Sequence, residues 1–265
     1  MHSKTMRRRT GKKDSVIAII IPTYNEKENI KRLVQRIYKV LPWAIIVVVD
    51  DSPNDETLKA IKQLSKKYSL LKAVSRNKKQ GRGSAVLAGF SYAKKHYDPD
   101  IFIEMDADLS HDPNELLGLI KRCDKKTVII GSRYIKGSKI INWPIKRRVV
   151  SKLSNLLVRL MLRISLHDNT NGYRCYPKEA INYLLSRKYI SSGYIVLSEV
   201  AYVLMKKGYS FIEVPSVFST GVGEHQMLIC LSFLMRLWVF LNLDFKHKTS
   251  GEIKNFLFSI RWSLM

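Results

Sequence analysis

Residues 15–26 read S-V-I-A-I-I-I-P-T-Y-N-E. Ser15–Ile21 is β-branched and continuously apolar, the pattern of a strand covered on both faces rather than one. After the Pro22-Thr23-Tyr24 turn, Asn25 with Glu28 three residues on gives a helix start, and Ile30, Leu33, Val34 and Ile37 carry the 3.6-residue period. The same strand–helix unit recurs downstream. Strands are expected at Ala44–Val49, Leu70–Ser75, Ile101–Met105 and Thr127–Gly131, and helices at Thr57–Lys67 and Gly83–His96. A further helix begins at Asp112-Pro113-Asn114-Glu115, with an N-cap, a proline at N1 and a glutamate at N3. Such alternation predicts an α/β chain with a mostly parallel, doubly wound sheet, whose ligands bind beyond the carboxyl ends of the strands. Pro22–Glu26, Asp50-Asp51, Asp106–Asp108 and Ser132-Arg133 all fall at those ends, so four segments converge on one rim.

The 265 residues are 46% hydrophobic and 26% charged, too apolar for a disordered chain and ordinary for one large domain with an appendage. Lys+Arg 46 against Asp+Glu 22 leaves a net charge of +24, which points to nucleic acid, an anionic membrane surface or phosphorylated substrates. No recognition-helix or aromatic stacking signature supports nucleic acid. Cys123, Cys175 and Cys230 lie far apart, which suggests neither a disulfide framework nor a zinc site. Residues 1–13 are basic with no apolar run behind them, a disordered tail rather than a secretory signal. Residues 227–243 are apolar but carry Arg236, so they read as a membrane-surface helix rather than a span. Residues 253–264 form a second apolar segment. Between the two halves, Lys136–Arg163 holds eight basic residues and no acid. There Val149, Leu153, Leu156, Leu160 and Ile164 form an apolar stripe beside a ridge of Arg148, Lys152, Arg159 and Arg163. Tyr194–Lys206 reads as a helix, and Phe211–Phe218 as a strand interrupted by Pro215.

Each polar cluster admits a chemical and a structural reading. Asp106 and Asp108 at a strand end, with Ala107 between and Ser110 following, can place hard oxygens on Mg²⁺ or Mn²⁺ shared with a diphosphate; the alternative is a solvated turn. Asp50-Asp51 can bond a base or ribose, or Ser52 or Asp55 can cap a helix. Pro22–Glu26 can offer an aromatic face and a carboxylate, while Asn25 is expected to be an N-cap. Gly81-Arg82-Gly83 can present amides to a phosphate or be a steric turn, and its spacing fits neither the dinucleotide fingerprint nor a P-loop. Arg133 stands on the rim. Arg147 and Ser151, one helical turn apart, can face one anion, or belong to a solvated cationic face. Asp168, Thr170, Tyr173 and Arg174 read as structural hydrogen bonding, with Arg174 directed at Glu199. His111, His167 and His225 lack an evident partner, and no Ser-His-Asp or Cys-His set is present.

In order and spacing, P-T-Y-N-E at 22–26, V-D-D-S-P-N-D-E-T at 49–57, G-R-G-S-A at 81–85, M-D-A-D-L-S-H at 105–111 and G-S-R-Y at 131–134 resemble the family 2 glycosyltransferases of GT-A fold. Trp143 to Ser151 (W-x-x-K-R-x-x-x-S) and Asp168 to Arg174 extend the likeness to the dolichyl-phosphate and other polyprenyl-phosphate mannosyltransferases. The resemblance implies a catalytic domain over 14–225, with 226–265 as membrane-associated helices. It implies nucleotide contacts at Pro22, Tyr24, Glu26, Val49 and Asp51, and donor diphosphate and metal at Asp106, Ala107 and Asp108 with Ser110 near the metal. Arg133 would meet the donor, and Arg147 with Ser151 the acceptor phosphate. The implied reaction is metal-dependent, inverting transfer of a hexosyl group, mannose from GDP-mannose, to a polyprenyl phosphate. Asp108, Arg133 and Arg147 would carry it at the cytoplasmic face of a membrane, peripherally or monotopically. The family's partners include the nucleotide-sugar donor, the polyprenyl-phosphate acceptor, an anionic membrane surface and small membrane-anchoring subunits. One departure stands out. The family's D-R-x-x-G-x-S-K-L is replaced by Ser219 to Met227, one residue shorter and without its Arg and Lys. This leaves two alternatives: a UDP-glucose donor, or an inactive relative acting as a membrane scaffold.

Overall fold

The computed structural model describes residues 15–76, 78–189, 193 and 195–219. The basic tail 1–13 and the apolar segments 227–243 and 253–264 lie outside the described residues, as does the 220–227 part of the departing loop. The chain alternates β1 (Ile17–Thr23), α1 (Lys27–Val40), β2 (Ile45–Asp50), α2 (Glu56–Ser65), β3 (Leu71–Ser75), α3 (Arg82–Tyr97) and β4 (Ile101–Glu104). A single 3₁₀ turn, Pro113–Glu115, then leads into α4 (Leu116–Arg122) and β5 (Thr127–Ser132). The second half holds β6 (Lys139–Ile141), α5 (Ile145–Leu162), β7 (Arg174–Pro177), α6 (Lys178–Leu185), α7 (Ile195–Lys206), β8 (Ser210–Pro215) and β9 (Val217–Ser219).

Seven strands form one sheet in the order β3-β2-β1-β4-β7-β5-β8, and β6 pairs with β9 beside it. Only β7 runs antiparallel, to both β4 and β5, so the expected mostly parallel sheet is found. The unalternating apolar strands have the anticipated cause. Ile17, Ile19 and Ile21 face α1, α2 and α4, while Ala18 and Ile20 face α3, α6 and α7. Each strand therefore fills two cores, and no position on it tolerates a polar residue until the carboxyl end. There the pairing Thr23↔Asp50 aligns the tips of β1 and β2.

Three local expectations are corrected. Asn25 does not cap α1: it is left-handed at φ 59, its N–H donates to Ser52 Oγ, and the helix starts after Glu26. Neither Ser52 nor Asp55 caps α2, because the Ser52 hydroxyl is drawn to Asp50 Oδ1 at 2.6 Å and Asp55 makes no side-chain cap bond. The expected 211–218 strand is two strands, broken at Ser216, whose hydroxyl donates to Glu115 Oε2. Asp112 does act as the expected N-cap, accepting from the Asn114 N–H.

α3 packs against the sheet at Gly89, where an added Cβ would stand 2.5 Å from Ile20 Cγ2 and 3.0 Å from Val49 Cγ2. Gly89→Ala is expected to destabilise the fold by about 1–3 kcal/mol through overpacking, despite the better helix propensity of alanine. Urea unfolding measures it, and an unchanged midpoint would show that the helix can lift at no cost.

Candidate active site

At the tip of β1 and β2, Thr23 Oγ1 donates to Asp50 Oδ1 at 2.9 Å and the Asp51 N–H to Thr23 O at 3.1 Å. Pro22 and Val49 lie opposite each other there. The Asp51 carboxylate is gripped on both oxygens by Arg76, with Nε and Nη2 each at 2.5 Å, and also accepts the Gln80 N–H at 3.2 Å. Tyr24 projects beyond the strand, 40% exposed, with Lys79 Nζ 4.0 Å above its ring. An aromatic face, a fixed carboxylate and donor groups thus stand side by side, the makings of a site for a flat polar ring.

The β4 tip carries the D-A-D turn. Arg82 Nε donates to Asp106 Oδ1 at 2.7 Å, and its Nη1 lies 3.7 Å from Glu104 Oε2. Burial pushes the Glu104 carboxyl up, opposed by Arg82 and Arg174. Burial pushes Asp106 up too, but Arg82 outweighs it and holds that carboxyl below its ordinary value. The turn is pinned from behind by His111. The Asp106 N–H donates to His111 Nδ1 at 3.2 Å, so Nε2 carries the proton and points at Asn171 Oδ1, 2.8 Å away. Asn171 Nδ2 in turn donates to Gly131 O on β5. Burial holds the His111 imidazole below its ordinary pKa. The histidine that lacked a partner in the sequence is thus the brace of the turn.

Asp108 and Glu26 are differently placed. Asp108 Oδ1 accepts the Ser110 N–H at 3.0 Å, and Asp108 makes no ion pair among the described residues. Glu26 is raised from its ordinary value, first by burial and further by the Asp108 and Asp106 charges, while Asn29 donates to it at 2.8 Å. Ser110 Oγ is buried with no hydrogen-bond partner among the described residues. This is a set of hard oxygens with surplus negative charge and an orphaned hydroxyl, and it fits Mg²⁺ or Mn²⁺. Among the described residues no three His, Cys, Asp or Glu side chains are grouped to hold such an ion alone. Its remaining positions would fall to water and a diphosphate.

At the β5 tip, Arg133 is buried and spends Nε on Asp168 Oδ2 and Nη2 on Asp168 Oδ1, both at 2.7 Å, and Nη2 also reaches Thr170 Oγ1. Burial raises the Asp168 carboxyl, but the Arg133 charge and its hydrogen bonds overcome this and keep it low. The next residue, Tyr134, donates its hydroxyl to Ser151 Oγ on α5 at 2.5 Å. Arg147, one turn before Ser151, lies over the Trp143 ring with its guanidinium carbon 4.0 Å from the centroid. Arg174 donates to the carbonyls of Asn169, Asn171 and Leu197 rather than to the expected Glu199.

The fold therefore brings Pro22, Tyr24, Glu26, Val49, Asp51, Asp106, Ala107, Asp108 and Ser110 to one rim, and sets Arg147 and Ser151 beside Arg133 through Tyr134 and Trp143. Sequence reasoning did not find Arg76, Lys79, His111 or Asn171, and it read Arg82 as a phosphate loop. Gly83 is there for packing, since a Cβ on it would meet Val196 at 2.5 Å.

A polar rim of this kind on a doubly wound sheet is the architecture of a nucleotide-binding enzyme. Residues 18–185 match Glycosyl transferase family 2, and the chain belongs to that family as a glycosyltransferase. It is 37% identical over 204 residues to a polyprenol monophosphomannose synthase of Mycolicibacterium smegmatis, covering 76% of each chain. It is 32% identical over 213 residues to an undecaprenyl-phosphate mannosyltransferase of Micrococcus luteus, covering 80% of this chain and 87% of that one. In structure it resembles a mannosyltransferase of Pyrobaculum calidifontis solved with GDP-Man and Mn²⁺. That match has a TM-score of 0.57 at 18% identity and covers 89% of this chain and 66% of that one. The fold is GT-A-like.

Removing Asp168 would leave Arg133 buried and uncompensated. Asp168→Ala is expected to cost about 3–5 kcal/mol of unfolding free energy, and the double variant with Arg133→Met less than the sum of the two singles. The wild-type pair contributes fully above about pH 4 and loses that contribution as pH falls toward the lowered folded-state pKa of Asp168. Denaturant titrations at several pH values measure both effects, and strict additivity would refute the pairing.

Proposed function

We propose that the protein transfers a mannosyl group from GDP-mannose to a polyprenyl phosphate, with inversion and with Mg²⁺ or Mn²⁺. Its relatives' names support the reaction, and the GDP-Man and Mn²⁺ complex of its structural neighbour supports the donor and the metal. The observation that carries the reading is the division of the site. The donor side is rich in carboxylates, and the acceptor side presents Arg147 and a Ser151 hydroxyl whose partner is the phenol of Tyr134, not a base.

That division suits a nucleophile needing no deprotonation. A phosphate monoester is largely dianionic near neutral pH, its second pKa being about 6. One of its oxygens bonds to the anomeric carbon as the bond to the diphosphate oxygen breaks, and the electron pair leaves with the diphosphate. Asp51, fixed by Arg76, orients the nucleotide beside Tyr24. Asp108, with Ser110, holds the metal, and Glu26 and Asp106 add to the negative field there. The metal supplies positive charge to the departing diphosphate. Arg133 is braced against Asp168 to meet the donor, and Arg147 and Ser151 hold the acceptor phosphate in line, where positioning is the main source of rate.

The surface of α5 suits a membrane-bound acceptor. Ile145, Val149, Leu153, Leu156 and Leu160 are 79%, 58%, 53%, 46% and 66% exposed, while the helix buries Ser151, Ser154, Asn155, Val158 and Leu162. Of the expected stripe only Ile164 turns inward. The outward apolar face with its basic flanks would lie on an anionic bilayer at the cytoplasmic side. Among the described residues no helix is long and apolar enough to cross a membrane.

Asp108→Ala is expected to reduce transfer of radiolabelled mannose to lipid by at least about 10²-fold and to weaken Mn²⁺-dependent GDP binding. Near-normal turnover would sink the metal assignment, and a donor panel in which UDP-glucose outruns GDP-mannose would replace the donor.

On vesicles containing anionic lipid, binding of the full chain is expected to fall with added salt, each basic residue near the surface contributing about 1 kcal/mol. The paired substitution Leu153→Asp and Leu156→Asp is expected to release it further. Unaltered flotation of that variant would remove α5 from the contact.

A further inference from the structure

We propose that Trp143 is a positioning residue for the acceptor phosphate, seating Arg147 and tying it to the D-A-D turn through Phe218 and His111. The inference rests on the reading of Arg147 and Ser151 as acceptor contacts. Trp143 is only 6% exposed, although Asn142, Pro144 and Ile145 around it are exposed. Its backbone is held by Arg148, which donates from Nε to Trp143 O at 3.2 Å and from Nη2 to Ile140 O at 2.9 Å. The indole has Arg147 at 4.0 Å and Arg133 at 5.5 Å from its centroid, one cation from each half of the site.

The ring also ends an aromatic row. Trp143 meets Phe218 edge-on at 5.3 Å and 81°, and Phe218 meets His111 at 5.4 Å and 68°. His111 stacks on Tyr173 at 4.8 Å and accepts the Asp106 N–H. The acceptor-side arginine and the donor-side carboxylates are thus registered to each other through packed rings rather than through a loop. A guanidinium laid on an aromatic face keeps its fork oriented and loses less freedom when a phosphate arrives. In-line displacement makes that register matter, since an error of about 1 Å can cost about 10²-fold in rate.

A second observation points to an anion. Trp143 Nε1 is buried with no hydrogen-bond partner among the described residues. A buried indole N–H usually finds an acceptor. Beside two guanidinium groups, a phosphoryl oxygen is the acceptor that suits it.

The test uses the full chain in detergent with farnesyl phosphate and farnesol as probes, read by isothermal titration calorimetry, and needs no sugar donor. Wild type is expected to prefer farnesyl phosphate. Trp143→Met, which fills the volume without a π face or an N–H, is expected to lose about tenfold of that preference, and Trp143→Phe, which keeps the face, to lose less. GDP affinity in Mn²⁺ is expected to stay within about twofold in both, as a merely structural role would not allow. Should Trp143→Met fail to fold, Phe218→Met interrupts the same row and is expected to show the same selective loss. A variant with wild-type preference overturns the inference and leaves the acceptor reading standing. Equal losses for farnesyl phosphate and GDP overturn it as a general packing defect. A wild-type chain indifferent to the phosphate overturns both.

Discussion

A parallel sheet delivers its strand tips to one edge, and in this chain those tips carry carboxylates. Burying such a group costs several kcal/mol unless a cation and hydrogen bonds offset it. The structure meets that constraint pair by pair: Asp51 with Arg76, Asp106 with Arg82, and Asp168 with Arg133. Each arginine comes from a segment other than that of its carboxylate, so each ion pair also cross-links the rim. Asp108 and Glu26 stand outside this scheme, and the Asp108 and Asp106 charges help to raise Glu26. The uncompensated charge lies where a divalent ion and a diphosphate would complete the balance.

The strands and the carboxylates were legible in the sequence because both follow from short-range rules. Continuous β-branched runs declare burial on two faces, and a strand leaving such burial meets water at its carboxyl tip. The partners were not legible. Arg76 is 25 residues from Asp51, Asp168 35 from Arg133, and Asn171 60 from His111. No periodicity connects residues so far apart, and Gly81-Arg82-Gly83 offers a plausible local role that hides the long-range one. β7 was equally hidden: four residues headed by a fully buried arginine show no alternation. Its arginine is tolerated because three carbonyls accept from it.

α5 shows what amphipathicity alone leaves undecided. Its sequence has an apolar stripe, and the ordinary reading turns such a stripe inward. Here the inward face is Ser151, Ser154 and Asn155, because that face meets the polar 166–171 segment rather than a core. Asn155 donates to Thr170 Oγ1 at 3.2 Å and accepts the Asn169 N–H at 2.6 Å. The polar contacts that position Ser151 therefore force the leucines outward. Site and apolar surface are two faces of one helix, and neither can rotate without the other.

That coupling gives the net charge of +24 its place. The guanidinium groups of Arg76, Arg82 and Arg133 are matched by carboxylates, so they contribute nothing to the surplus. The unmatched cations concentrate where acids are missing, above all in Lys136–Arg163, which includes the helix whose leucines face out. A solvated basic helix has no reason to expose five large apolar side chains, and a soluble apolar docking face has no need of an acid-free border. The combination suits a surface that is apolar inside and anionic at its edge. A polyprenyl phosphate presents the same chemistry on a molecular scale, and Ser151 on the opposite face keeps its phosphate end within reach of the donor rim.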